Sequence, residues 1–238
     1  MKLYFIRPKT EPAAGRKRQS ARAVMFAIGF IMVVFAVREL WLGVRDDNVA
    51  QTEYASLREL GDNRETSPSP GLLAEINPDY VGWIVIPGTT VDYPVVRGQD
   101  NSRYLNTMFS GAPNPAGAIF MDYRCTDGFN APVCLIYGHN MRNGSMFSPL
   151  NNYPDPKFMN DNPEIIILTA SGEKLVYRIF NALRANAWDS VYALDFYDTS
   201  GEAIKSADVE RLLILSTCPG GEEQNARFLV FASLIDYS

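Results

Sequence analysis

Histidine is almost missing from this chain. Its 238 residues include one, His139, and only three cysteines, Cys125, Cys134 and Cys218. Zinc sites built from several histidines lack their ligands here, so neither a metal nor another cofactor is expected. Any imidazole chemistry must fall on His139. The sequence also has no P-loop, dinucleotide fingerprint, calcium loop or internal repeat. Nor does its body carry a basic face. Residues 1–44 hold eight basic and two acidic side chains, whereas residues 45–238 hold 14 basic and 25 acidic ones. A nucleic-acid binder would place positive charge on its folded part, so this acidic body excludes that class. At 47% apolar residues the chain is globular rather than disordered. Its length suits one domain of under about 200 residues plus an appendage.

One long apolar run is present, residues 23–37 (AVMFAIGFIMVVFAV), preceded by seven basic and one acidic side chains in residues 1–22. A helix of that length covers about 22 Å, short of a hydrocarbon core of about 30 Å. Extension through residues 38–44 (RELWLGV) supplies the missing length. Arg38 and Glu39 then reach the outer interface, and Trp41 suits its aromatic belt. The basic flank remains in the cytoplasm. The sequence therefore predicts a cytoplasmic tail at 1–22, a single-pass transmembrane signal anchor at 23–44 and an extracellular body. No Ala-x-Ala site follows the run, which argues against a cleaved signal peptide, and the basic flank argues against a buried core helix.

Residues 45–76 read as an extracellular linker and an N-terminal helical segment. A weak helical stripe runs through Val49, Tyr54, Leu57 and Leu60, a Pro/Ser linker occupies 65–71 (ETSPSPG), and 72–76 suggests a short helix. From Tyr80 the pattern is β. Strands are expected at 80–86, 91–96, 118–121, 133–137, 164–169, 174–181, 211–217 and 228–235, with a turn at Pro87-Gly88 and a hairpin turn at Ser171-Gly172. Short helices are expected near 101–107 and 146–150. Eight or so short strands suggest a mainly β domain over 77–238, a closed or nearly closed barrel.

Cys218 ends the apolar run 212–218 (LLILSTC) and precedes Pro219-Gly220-Gly221. A strand that stops at Cys and opens into a loop places the thiol at the rim of a sheet, a rigid position for a nucleophile. The plain alternative is a small buried hydrophobe. His139 likewise follows an apolar run, 133–137, in Tyr137-Gly138-His139-Asn140. A lone His is more often a surface or satisfied residue, but the only His and a rim Cys both sit at strand ends. A neighbouring imidazole would raise the thiolate fraction of a Cys and protonate a leaving amine. Arg227 opens the last strand, nine residues after Cys218. If those strands are neighbours, its guanidinium reaches the thiol and can hold an oxyanion; otherwise it is a solvated Arg near Glu222 and Glu223. Cys125 and Cys134 leave open a disulfide or two reduced thiols. Asp122 and Asp127 are expected to be solvated.

These residues in this order resemble the sortases, class B most closely. The resemblance covers about residues 77–235. It is carried by GWIVIPGTTVDYPVVRG (82–98), DNSRYLN (100–106), GAIFMDYR (117–124), IYGHNMRNGSMF (136–147), LSTC (215–218) and the closing strand from Arg227. It implies a sortase β-barrel and a membrane-anchored cysteine transpeptidase of a Gram-positive cell envelope. It further implies Cys218 as nucleophile, His139 as general acid/base and Arg227 as oxyanion or substrate stabiliser. Ser216 and Thr217, and with them Asn101 and Leu105, would line the substrate groove. The implied reaction cleaves a C-terminal sorting signal, Asn-Pro-x-Thr-like in class B, through a thioacyl intermediate. The implied partners are surface proteins or pilins bearing such a signal, and an amine of a peptidoglycan precursor or a lysine as acceptor. One departure stands out: class B members usually carry a long helix before the Cys strand, and here only 198–210 (DTSGEAIKSADVE) is available. Two rival functions remain at this level: a secreted cysteine hydrolase using the same pair, and a non-enzymatic membrane-anchored binding module.

Overall fold

A computed structural model describes residues 14–60, 69–188, 192, 211–218 and 225–237, with side chains from Val24 onward. Most of the Pro/Ser linker, the 198–210 segment and the Pro219-Gly220-Gly221 loop lie outside the described residues. The elements are α1 (Ala14–Glu59), α2 (Pro70–Ile76), β1 (Tyr80–Val85), β2 (Asp92–Val96), β3 (Ile119–Met121), β4 (Val133–Tyr137), α3 (Pro156–Asp161), β5 (Glu164–Thr169), β6 (Lys174–Asn186), β7 (Leu212–Thr217) and β8 (Ala226–Tyr237). Single 3-10 turns occupy Arg103–Leu105, Gly128–Asn130 and Ser148–Asn152.

The chain divides after Arg45 into two units. In the first, α1 displays apolar side chains all round, among them Phe26, Phe30, Ile31, Phe35 and Leu40. Val24–Glu59 is long and apolar enough to cross a membrane, with mean hydropathy 2.0 in its most apolar window. Arg38 and Glu39, the charges that interrupt the run, pair with each other at 2.6 Å.

In the second unit the last turns of α1 bury Ala50, Tyr54 and Leu57. That i, i+4, i+7 spacing is a helical stripe. Val49 and Leu60, expected on the same stripe, are exposed. Val49 precedes Tyr54 by five residues, which is roughly 140° round the helix from it. The Tyr54 hydroxyl donates to the Gly117 carbonyl at 2.6 Å, and its ring meets Tyr93 edge-on at 5.1 Å.

The eight strands close into a mainly β barrel in the order β1-β2-β3-β4-β7-β8-β6-β5. Pairings β2–β3 and β4–β7 are parallel and the rest antiparallel. The continuous apolar runs of β4 and β7 are explained by burial on both faces. Cys134, Ile136, Leu213 and Leu215 join the main core, whereas Val133, Leu135, Leu212 and Ile214 form a second cluster with Leu229 and Phe231 of β8.

Ser171-Gly172 makes the β5–β6 hairpin turn, with Gly172 at φ +93°. β6 runs five residues past the expected end at Asn181 and pairs with β8 as far as Asn186↔Ala226. Leu175, Tyr177 and Ile179 alternate as buried residues, but that alternation stops at the irregularity between Ile179 and Asn181, and the residues beyond it are exposed or half-buried, so the pattern marks only the first half of the strand. The helices expected at 101–107 and 146–150 shrink to the 3-10 turns Arg103–Leu105 and Ser148–Asn152. Cys125 and Cys134 are both free thiols, buried in the main core.

Candidate active site

Strand register assembles the site. β4 and β7 run parallel with Tyr137 opposite Ser216, and Gly138 N donates to the Ser216 carbonyl at 3.1 Å. The next residues of each strand, His139 and Cys218, therefore leave the sheet at the same rim. β8 is antiparallel to β7 with Thr217 opposite Phe228, which sets Arg227 at that rim too. All three line one cavity of about 300 Å³. Asn101, Leu105, Ser216 and Thr217 line it as well, so the three expected catalytic residues and the four expected groove residues lie around one space. Phe120, Tyr137, Gly138, Ala187 and Tyr192 complete the lining and escaped the sequence reading. Tyr137 and Gly138 adjoin His139 in the Ile136–His139 run, which was the available signal.

Cys218 is exposed, unlike the buried hydrophobe that was its plain alternative. The Arg227 guanidinium is half-buried and donates from Nη1 to the Ala226 carbonyl at 2.8 Å. His139 Nε2 lies 2.7 Å from the Leu105 carbonyl oxygen. A carbonyl only accepts, so Nε2 carries the proton and Nδ1 is left for other chemistry.

Two glycines hold this arrangement. A Cβ on Gly138 would come within 2.5 Å of Ile119 Cδ1 and 2.6 Å of Phe147 Cδ2, and Phe147 N in turn donates to the His139 carbonyl at 2.8 Å. Gly117 has φ +58° and would drive a Cβ into the Tyr104 and Leu105 carbonyls. Leu105 thus contributes its carbonyl to His139 as well as a partly exposed side chain to the groove.

Ser216 and Thr217 are each 2% exposed. Ser216 Oγ shares a hydrogen bond of 2.8 Å with Tyr192 Oη. Thr217 Oγ1 is buried and has no hydrogen-bond partner among the described residues. Tyr137 stacks between Phe120 at 5.1 Å and Tyr192 at 6.3 Å.

Asp122 corrects the sequence expectation. Instead of being solvated it is fully buried, and Tyr137 Oη and Asn101 Nδ2 both donate to its Oδ2, at 2.9 and 2.8 Å. Burial alone would raise its pKa, but the hydrogen bonds from Arg124, Asn101 and Tyr137 outweigh that and hold the carboxyl below its ordinary value. Burial, with the Asp122 charge behind it, pushes the Tyr137 hydroxyl well above its ordinary value. Asp127 is exposed as expected. Among the described residues no group of three or more His, Cys, Asp or Glu is placed to hold a metal ion.

Comparison with known proteins agrees with this architecture. The sortase domain family matches residues 84–235. Sortase B of Listeria monocytogenes is 43% identical over 91 residues, 38% of this chain and 37% of that protein. Sortase B of Staphylococcus aureus is 26% identical over 245 residues, covering 94% of this chain and 100% of that one. The crystal structure of Clostridium perfringens sortase B superimposes with a TM-score of 0.63 at 32% identity, covering 71% of this chain and 100% of that chain.

Proposed function

This chain belongs to the sortase family, whose members are cysteine transpeptidases, and from that premise we propose that Cys218 is its nucleophile, His139 its general acid/base and Arg227 its oxyanion stabiliser. The observation that carries the reading is the convergence of these three residues, from the ends of β4 and β7 and the start of β8, on one cavity. The Cys218 thiolate attacks the Thr carbonyl carbon of a C-terminal Asn-Pro-x-Thr-like sorting signal. The oxyanion that develops is met by the Arg227 guanidinium. Because His139 Nε2 is committed to Leu105, Nδ1 delivers the proton to the leaving amine. The resulting thioester is opened by an incoming amine, which gives its proton back to Nδ1. Ser216, Thr217, Asn101 and Leu105 form the groove that holds the signal peptide.

The donors in this reading are surface proteins or pilins, and the acceptor is an amine of a peptidoglycan precursor or of a pilin lysine. Residues 1–22 form a cytoplasmic tail, 23–44 a single-pass anchor, 45–76 an extracellular linker with the helical segment, and 77–238 the catalytic domain outside the cell. The apolar, outward-displayed residues of α1 and the basic flank before them support the anchor.

The test is mass spectrometry of the soluble domain with sorting peptides and amines. A thioacyl adduct on Cys218 that moves to the added amine is expected. Turnover that survives Cys218→Ala would sink the assignment, and hydrolysis with no gain from amine would make the chain a hydrolase.

A further inference from the structure

Asp122 directly follows β3, and its backbone N–H donates to the Leu135 carbonyl on β4 at 2.8 Å. Its side chain is a carboxylate at 0% exposure. An ionised group so placed persists only when donors surround it. Oδ1 accepts from Arg124 N at 3.0 Å and Arg124 Nε at 2.8 Å. Oδ2 accepts from Arg124 Nη2 and Asn101 Nδ2, both at 2.8 Å, and from Tyr137 Oη at 2.9 Å. Two of these donors, Asn101 and Tyr137, line the groove beside Cys218.

The consequence is a fixed polarity. An ionised carboxylate only accepts, so the edge of Asn101 facing Asp122 must be its NH₂. The opposite edge, Oδ1, accepts from Tyr123 N at 3.1 Å, which an inverted amide could not do. The Asn101 amide is therefore locked in one sense, its oxygen occupied and one N–H left over. Tyr137 has spent its single O–H proton on Asp122, so its oxygen offers lone pairs only. Arg124, clamped on Asp122, also donates from Nη2 to the Tyr192 carbonyl at 2.8 Å, and Tyr192 closes the stack on Tyr137.

We propose that Asp122 is a positioning residue that sets the hydrogen-bonding sense of the groove, presenting Asn101 as an N–H donor to a carbonyl oxygen of an extended peptide substrate. The proposal rests on the transpeptidase reading above and names how that groove recognises its peptide. Asp122 acts through Asn101 and does not touch the reacting atoms.

The test is a double-mutant cycle in the full soluble domain, reading kcat/KM for a sorting peptide with an amine acceptor. Asp122→Asn keeps the shape and removes the charge that dictates the amide's sense. We expect it to lower kcat/KM by about tenfold in the parent and by less than about twofold in an Asn101→Ala background, since coupled residues are not additive. A merely structural Asp122 gives the same loss in both backgrounds, and that result overturns the proposal. A second measurement stands even if Asp122→Asn fails to fold. Peptides carrying one thioamide, a weaker acceptor, are scanned along the signal. One position is expected to slow the parent and leave Asn101→Ala unaffected, and a scan in which no position depends on Asn101 overturns the donor assignment. The rate of Cys218 alkylation by a small neutral reagent is expected to be unchanged in Asp122→Asn. A failure of the transpeptidase reading shows itself separately, as turnover that survives Cys218→Ala.

Discussion

His139 Nε2 sits 2.7 Å from the carbonyl oxygen of Leu105, so the sole imidazole is oriented by a main-chain group 34 residues upstream. That carbonyl is itself held by close packing. Gly117, at φ +58°, fits against the Tyr104 and Leu105 carbonyls only because it lacks a Cβ, and Ala118 N donates to the Tyr104 carbonyl at 3.0 Å. His139 is aimed by backbone, which side-chain substitution cannot delete but steric pressure can move.

Gly117→Ala is the direct probe of that aim. The added methyl is strained both by its backbone angle and by two carbonyls, a combination worth about 1–3 kcal/mol. We expect a lower melting temperature and, at temperatures where the domain remains folded, a fall in kcat/KM of at least about tenfold. Unchanged kinetics in a folded Gly117→Ala protein would show that the Leu105 contact does not position His139.

The turns of α1 beyond Asp46 belong to the folded body through Tyr54. Its hydroxyl reaches the Gly117 carbonyl at 2.6 Å in a buried setting. Tyr54→Phe is expected to cost about 1 kcal/mol of unfolding free energy, measured by urea denaturation. Leu60→Ala, at an exposed position, should fall within about 0.5 kcal/mol of the parent. A fragment beginning at Ser69 should unfold at lower urea than one beginning at Asp46.

Much of this was legible in the residues. The β7 run LLILST announces a strand apolar on both faces, and the structure divides those faces between two clusters. Cys218, His139 and Arg227 could be marked as strand-end residues, but their convergence depends on β4 pairing with β7 and β7 with β8, which local patterns do not specify. Asp122 was illegible for the same reason. Its partners Asn101 and Tyr137 lie 21 and 15 residues away, and a lone Asp after a short strand looks like a solvated one. The Pro156–Asp161 helix could have been seen, because Asp155 before Pro156 is an N-cap signal and its side chain does accept from Lys157 N.

The cysteines divide by exposure. Cys125 and Cys134 are buried at 3% and 1%, whereas Cys218 is exposed. Iodoacetamide applied to the native domain should modify Cys218 alone, and all three should react after denaturation. Peptide mapping by mass spectrometry distinguishes the sites. Native-state labelling at Cys125 or Cys134 would mean that the barrel wall opens near β4.

Asp122 gives the acid limb of stability a definite sign. Its folded pKa lies below the ordinary carboxylate value, so the native state favours the ionised form. The stabilisation is complete above the unfolded value of about 3.9 and is lost as pH falls through the folded value. As pH falls below that unfolded value the parent should lose stability more steeply than Asp122→Asn, which has no proton to take up. Parallel urea titrations at several pH values test this, and equal slopes would show that folding leaves the Asp122 pKa unshifted.

Arg227 separates charge from geometry. It lies at the cavity rim opposite Ala185 of β6, at the start of β8. If it meets an oxyanion that exists only during acyl transfer, its loss should appear in kcat rather than KM. Arg227→Ala is expected to reduce kcat by about 10²–10³, the range typical of an oxyanion donor. Arg227→Lys keeps the positive charge but not the planar fork of donors, and should recover only part of that loss. A large rise in KM with kcat preserved would instead place Arg227 in ground-state binding of the peptide.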